Sequence, residues 1–382
     1  MRSKRTTVYL LCLFTLAAVA CSDGRQSRQP TGGGETADTL QYAKGFSIAH
    51  TDSYTKITVF NPWKSGEVYD VYYLTKNETT AIPSGGCRVI IPLKTLMVNS
   101  ATHLGFLDLL GETDKVTGVC DASYIYNPYI LKGVEEGRVK DLGDAFNLDI
   151  EHLLLLNPQV VMTSAYNAED ENSKRMRQTG LTLLYNIEWQ EKTLLGRAEW
   201  IKFMGAFFDK EALADSIFSN VAKRYNDIKS QAATLIPSAP TVLSGQDFRG
   251  TWSMPGGQSF NARLFQDAGA RYYYAGNNAS GSIATSIEEA LLHFSDAAIW
   301  VNVQASTLEE LGKMDKKYKL FKAYQNGNVY NTLKRSTATG GNDYWESGVA
   351  RPDLLLSDMI RISHPSLLPD YELTYTKRLP PQ

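Results

Sequence analysis

A pattern that occurs twice constrains this chain most: short apolar strands alternate with helices, and a long helical stretch separates the two runs. The first run begins with the strand Thr95–Val98 and the helical pattern HLGFLDLLG, which closes at Gly111. Strands follow at Lys115–Val119, Val139–Leu142, Val160–Thr163 and Leu181–Tyr185, with helical segments between them, among them Leu148–Leu156, ended by Asn157-Pro158. Such alternation predicts a parallel sheet with helices on both faces. From Thr193 to Lys229 the chain turns helical, with Leu213, Ile217, Val221 and Tyr225 four apart on one expected face and a bend expected at Phe207-Phe208-Asp209. The second run has strands at Thr241–Leu243, Ala298–Val301 and Val329–Leu333 and helices at Phe260–Ala268, Ser286–His293 and Ala350–Ile362, with loops at Gly245–Ser259 and Lys334–Gly348. The expected fold class is therefore α/β: two lobes with central parallel sheets, joined by one long rigid helix. In sheets of this kind ligands sit at the carboxyl ends of the strands, where loops converge.

The length of 382 residues suits two lobes. The expected boundaries are a signal at 1–20, a flexible tether at 21–41 and a β-rich extension at 42–94. An N-terminal lobe at 95–190, a linker helix at 191–236, a C-terminal lobe at 237–372 and a tail at 373–382 complete the division. The signal rests on Arg2, Lys4 and Arg5 before the 13-residue apolar run Val8–Ala20, which is too short to span a bilayer. With Cys21 directly after it, this start resembles a bacterial lipoprotein signal. The resemblance implies acylation of Cys21 and an exported chain held at a membrane, facing the periplasm. An ordinary cleaved signal is the alternative. Ser22–Asp38 is polar, Gly-rich and apolar-poor, as a tether requires. In the extension, Ile57–Phe60 and Val68–Leu74 flank a turn-rich segment and predict a hairpin, with Arg88–Leu93 as a further edge strand.

Charge and motifs exclude several functions. Removal of residues 1–20 leaves 36 basic against 41 acidic side chains, which gives no electrostatic footprint for nucleic acid. No GxSxG, HExxH, Walker A lysine motif or strand-borne GxGxxG occurs. The five histidines, His50, His103, His152, His293 and His364, are scattered, so capture of a bare metal ion and a bound cofactor are both unexpected. His103 alone falls near a strand-end loop. Cys87 and Cys120 leave a single disulfide or two free thiols open.

Four stretches resemble the periplasmic substrate-binding proteins that serve ABC importers of ferric siderophores, haem and cobalamin. They are Val98-Asn-Ser-Ala-Thr with HLGFLDLLGETDKVTGV, DLGDAFNLDIEHLLLLNPQVVMTS, SIEEALLHFSDAAIWVN, and FKAYQNGNVYNT followed by RPDLLLSDMIRISHP. Together they cover roughly residues 95–366, and the β-rich extension lies outside the shared pattern. The resemblance implies two Rossmann-like lobes, a metal chelate clamped between them with limited hinge motion, and binding without turnover. A chelatase, a corrinoid- or haem-processing enzyme of related fold, or a surface lipoprotein uncoupled from any importer are the alternatives. It also implies that Glu151 and Glu289, each six residues before the matching Asn157-Pro158 and Ser295-Asp296, meet arginines of an ABC permease. The strand-end loops are rich in aromatics suited to large, flat or apolar ligands: Tyr124, Tyr126, Tyr166, Phe248, Trp252, Tyr344 and Trp345. Arg249 and Arg335 stand beside them, with guanidinium forks suited to carboxylate, catecholate or phosphate oxygens. These nine are the expected ligand residues.

Overall fold

A computed structural model describes residues 34–168, 171–235 and 239–382; the basic and apolar start of the chain and Cys21 lie outside the described residues. Residues 35–382 form one compact unit. Its N-terminal extension is a five-stranded sheet of β1 (Thr36–Ala37), β2 (Phe46–His50), β3 (Thr55–Phe60), β4 (Val68–Thr75) and β5 (Cys87–Ile90). β1 lies in the stretch expected as tether and pairs antiparallel with β2, so the extension starts before residue 42. The β3–β4 pair is the expected antiparallel hairpin, and β5 adds parallel to β4 at the edge.

The first lobe carries β6 (Leu96–Val98), α1 (Ala101–Leu110), β7 (Val116–Val119), α2 (Pro128–Glu135), β8 (Lys140–Asp141), α3 (Ile150–Leu156), β9 (Val160–Thr163), α4 (Glu171–Gln178) and β10 (Leu183–Tyr185). Its sheet runs β10-β9-β6-β7-β8, and every pairing is parallel. Strands buried on both faces read as unbroken apolar runs, and β6, β9 and β10 are buried at every position.

The helical stretch divides in two. α5 (Leu194–Ala206) is buried almost throughout, whereas α6 (Glu211–Ala233) is the long helix that links the lobes. Its 23 residues span about 35 Å at ~1.5 Å per residue. Between them the chain turns at Asp209, a non-glycine residue with φ of 60°, and the two helices pack against each other, with Ala214 close to Gly205. The buried face of α6 is Ala214, Phe218, Val221, Ala222 and Tyr225. Of the four expected there, Val221 and Tyr225 are buried, Ile217 is half-buried and Leu213 is exposed.

The second lobe contains β11 (Val242–Ser244), β12 (Asp247–Phe248), β13 (Thr251–Pro255), α7 (Phe260–Asp267), β14 (Ser282–Thr285), α8 (Ile287–Phe294), β15 (Ile299–Val303), α9 (Leu308–Met314), α10 (Lys322–Gln325), β16 (Val329–Asn331), α11 (Ser347–Ala350), α12 (Pro352–Ser363) and β17 (Lys377–Arg378). β11, β15 and β16 are parallel, and β17 closes the edge antiparallel to β16. The Gly245–Ser259 stretch, expected as a loop, holds β12 and β13 of a small antiparallel sheet completed by β14.

Candidate ligand-binding cleft

The loop that follows β10 of the first lobe faces the second lobe across a cleft of about 540 Å³. One wall is Trp189–Thr193 and Arg197, which follow β10; the other is Gln258, Phe260 and Arg263 around the start of α7, with Asn278, Ser280 and Gly281 before β14. Ser259 caps α7, its side chain accepting from the Ala262 N–H, so the positive end of that helix opens on the cleft.

Four charged side chains line it: Glu191, Lys192, Arg197 and Arg263. Arg197 is held by Glu188 at 2.6 Å, and its guanidinium lies 5.1 Å from the centre of the Phe260 ring, a contact between lobes. The side-chain amide oxygen of Gln258 accepts a hydrogen bond from Arg263, whose Nε is buried without a partner. That nitrogen is enclosed by the protein, and Arg263 itself lines the cleft. Lys192 is exposed on the rim. Aromatic rings continue both walls. Trp189, 37% exposed, lies 5.9 Å from Tyr166, which lies 4.8 Å from Phe146. Opposite, Phe260 lies 6.3 Å from Trp345, which is 46% exposed.

Of the nine expected ligand residues, Tyr166 and Trp345 thus extend the walls of the cleft. Tyr124, Tyr126 and Arg335 gather at a second place, where the lobes touch. Tyr124 is 65% exposed beside Gly340. Arg335 pairs with Asp343 at 2.6 Å and sits 5.4 Å above the Tyr126 ring. Phe248 and Arg249 form the exposed tip of the β12–β13 hairpin, the guanidinium over the ring at 5.0 Å. The other two are core residues. Trp252 is 0% exposed, stacked on Trp300 at 5.7 Å with its Nε1 donating to the Ser244 carbonyl. Tyr344 is buried against Trp345 and Tyr375. Alternation explains Trp252: along β13, Trp252 and Met254 point inward while Thr251 and Ser253 face out.

Sequence reasoning missed Trp189, Lys192, Arg197, Phe260 and Arg263. The rule that found the other loops applies equally to the loop after Leu181–Tyr185, and it would have reached Trp189 and Lys192. His103, the histidine nearest a strand-end loop, is fully buried in α1, 3.2 Å from the Ser164 hydroxyl. Burial pushes its pKa down to about 4, which keeps the ring neutral. Among the described residues no three His, Cys, Asp or Glu side chains gather to hold a metal ion. Cys87 and Cys120 are separate free thiols, and burial pushes Cys120 up to about 12. Glu151 and Glu289 are both exposed in the first turns of α3 and α8. Asp149 caps α3 and Ser286 caps α8, and Glu289 accepts from the Thr285 hydroxyl at 2.6 Å.

An uncharacterized lipoprotein of Methanocaldococcus jannaschii is 26% identical to this chain over 353 residues, 85% of this chain and 82% of the relative. A periplasmic solute binding protein from Veillonella parvula shares the fold with a TM-score of 0.56 at 18% identity, over 74% of this chain and 84% of that one. A periplasmic heme binding protein from Pseudomonas aeruginosa does so with a TM-score of 0.54 at 16% identity, over 72% and 94%. Residues 98–335, well over half of the sequence, match the profile of the periplasmic binding protein family, and the chain belongs to that family.

Proposed function

We propose that this protein is the substrate-binding lipoprotein of an ABC importer: it takes up a metal chelate, such as a ferric siderophore, haem or cobalamin, between its lobes and delivers it to the membrane permease. The observation that carries this reading is the cleft between the lobes, with Trp189 and Phe260 on its walls and Lys192, Arg197 and Arg263 around them. Its volume of about 540 Å³ lies within the ~300–1,000 Å³ of small-molecule sites. Rings offer area to a flat or apolar chelate, and the cations offer partners to its oxygens. Acylation at Cys21 would hold the chain at the membrane on the periplasmic side, in keeping with the lipoprotein relative. The chain acts here as a carrier, and its cargo leaves chemically unchanged.

Titration of the purified chain with hemin, a ferric tricatecholate and cyanocobalamin, by calorimetry and tryptophan quenching, tests the reading. One of the three is expected to bind with one-to-one stoichiometry. Arg263→Glu should weaken it at least about tenfold, since a charge-assisted hydrogen bond is worth ~1.5–3 kcal/mol. If none of the three binds, or if the variant binds as tightly as the parent, the assignment fails. Conversion of the bound chelate would instead favour a chelatase or a corrinoid- or haem-processing enzyme.

A further inference from the structure

A second hollow, of about 630 Å³, lies against the same wall of the cleft, and half of its lining comes from the N-terminal extension. The segment Gln190–Thr193 borders both spaces. The extension precedes the part of the chain that matches the family profile, which begins at residue 98, so half of the hollow's lining lies outside that match.

Its chemistry is specific. Tyr42 and Phe60 supply aromatic surface, Phe60 being exposed at the end of β3, and Trp200 is fully buried behind them. Two exposed lysines, Lys44 of the extension and Lys192 of the first lobe, stand at the hollow, and neither side chain has a hydrogen-bond or ion-pair partner among the described residues. The one carboxylate in the lining is already engaged: Oε1 of Glu191 accepts from the backbone N–H groups of Lys44 and Gly45 and from the Trp200 indole. The start of α5, capped by Thr193, opens here too. Apolar rings beneath two unpaired ammonium groups suit a flat or apolar group that bears an anionic substituent.

We propose that this hollow is a second subsite, built by the extension, for an anionic and partly aromatic portion of the same cargo that occupies the cleft between the lobes. The inference rests on the cleft being the cargo site. Adjacency supports it: Gln190–Thr193 line both spaces, Lys192 among them, and Trp63 of the extension lies 6.4 Å from the cleft residue Trp189. The extension thereby selects for a cargo larger than the cleft alone accepts.

The test uses the full chain and two kinds of probe. The first is 8-anilinonaphthalene-1-sulfonate, an aromatic anion followed by its fluorescence; the hollow and the cleft both offer it rings and cations, so variants on each side separate the two. Lys44→Glu should remove one class of bound sulfonate and Lys44→Arg should restore it, whereas Arg263→Glu, in the far wall of the cleft, should leave that class in place. The second is hemin or the ferric tricatecholate. A bound chelate should displace the sulfonate competitively, and Lys44→Glu should weaken that chelate by several-fold. Equal sulfonate binding in the parent and Lys44→Glu overturns the subsite. A chelate that binds both forms equally and leaves the sulfonate in place overturns its link to the cargo. If neither of these anionic chelates binds the parent, the subsite's link to an anionic cargo is overturned, whatever the sulfonate series shows.

Discussion

Glu346 stands where the second lobe presses into the first. Its carboxylate is buried and accepts from the Tyr126 backbone N–H at 2.8 Å. Burial, with Asp343 and Asp108 adding repulsion, raises its pKa from 4.5 to about 7. A folded-state pKa above the unfolded one means that the folded chain holds the proton more tightly. The group's contribution to stability is then full below pH ~4.5 and is lost as pH rises through about 7. At ~1.4 kcal/mol per pH unit between those values, the loss is at most roughly 3 kcal/mol. The parent is therefore expected to lose thermal stability between pH 5 and 8, and Glu346→Gln, which still accepts from Tyr126, to flatten that decline. Melting curves across this range check it, and an equally steep decline in the variant would show that other groups cause it. At this scale the sequence revealed residue types better than their surroundings. Trp252 and Trp345 both looked like loop aromatics, and only the first is in a strand. The hairpin that places it turns at Arg249-Gly250, both with positive φ (54° and 85°). Its first residue is an arginine, not the Asn or Asp that signals such turns.

Two glutamates tie the extension to the first lobe. Glu199, fully buried in α5, accepts from the backbone N–H groups of Gln41, Tyr42 and Ala43 at 3.0, 2.7 and 2.8 Å. Glu191 continues the same work at Lys44 and Gly45. The strand β2 thus enters the fold along a rail of carboxylate oxygens, and the hollow beside it depends on that rail. Removing an acceptor from buried donors costs their desolvation, ~1–3 kcal/mol for each group left unpaired. Glu199→Ala is expected to cost about 3 kcal/mol or more in urea unfolding and to expose the amides of residues 41–43 to hydrogen exchange. Parent-like protection in that variant would show that packing alone holds the segment. The strands and helices on either side were legible because each is an apolar run or carries a helical period. The reversal between α5 and α6 was legible only as a bend. Apolar spacing persists through Phe207 and Phe208, and the turn depends on Asp209 and on the close approach of Ala214 to Gly205. That approach is a long-range contact, which periodicity does not encode.

Across the whole molecule, the two lobes are locked by more than α6. α11 packs on α1 and α5 of the first lobe, and a Cβ at Gly105 would come within 2.4 Å of the Glu346 carbonyl oxygen. In the proposed delivery, an interlock of this kind would let a permease read both lobes at once. The two-lobe α/β plan was legible from alternation, but this interlock was not, because segments some 240 residues apart leave no local signal. Glu151 and Glu289 are the residues proposed to meet the permease. Each is exposed in the first turn of a helix that precedes a sheet strand, β9 in one lobe and β15 in the other. Acidic residues there also suit the helix dipole. The same helices expose Leu155 and Leu292, apolar side chains that a docked surface would cover. A single exposed ion pair is worth only ~0–1 kcal/mol. Two such pairs on one rigid body engage together, because the first contact raises the effective concentration of the second. Loss of either glutamate should therefore slow delivery modestly, and loss of both should abolish it. Glu151→Ala with Glu289→Ala is expected to stop chelate uptake in vesicles carrying the permease, while chelate affinity in solution stays at the parent value. Uptake at the parent rate by the double variant would reduce both residues to helix-start acids and move the docking surface elsewhere.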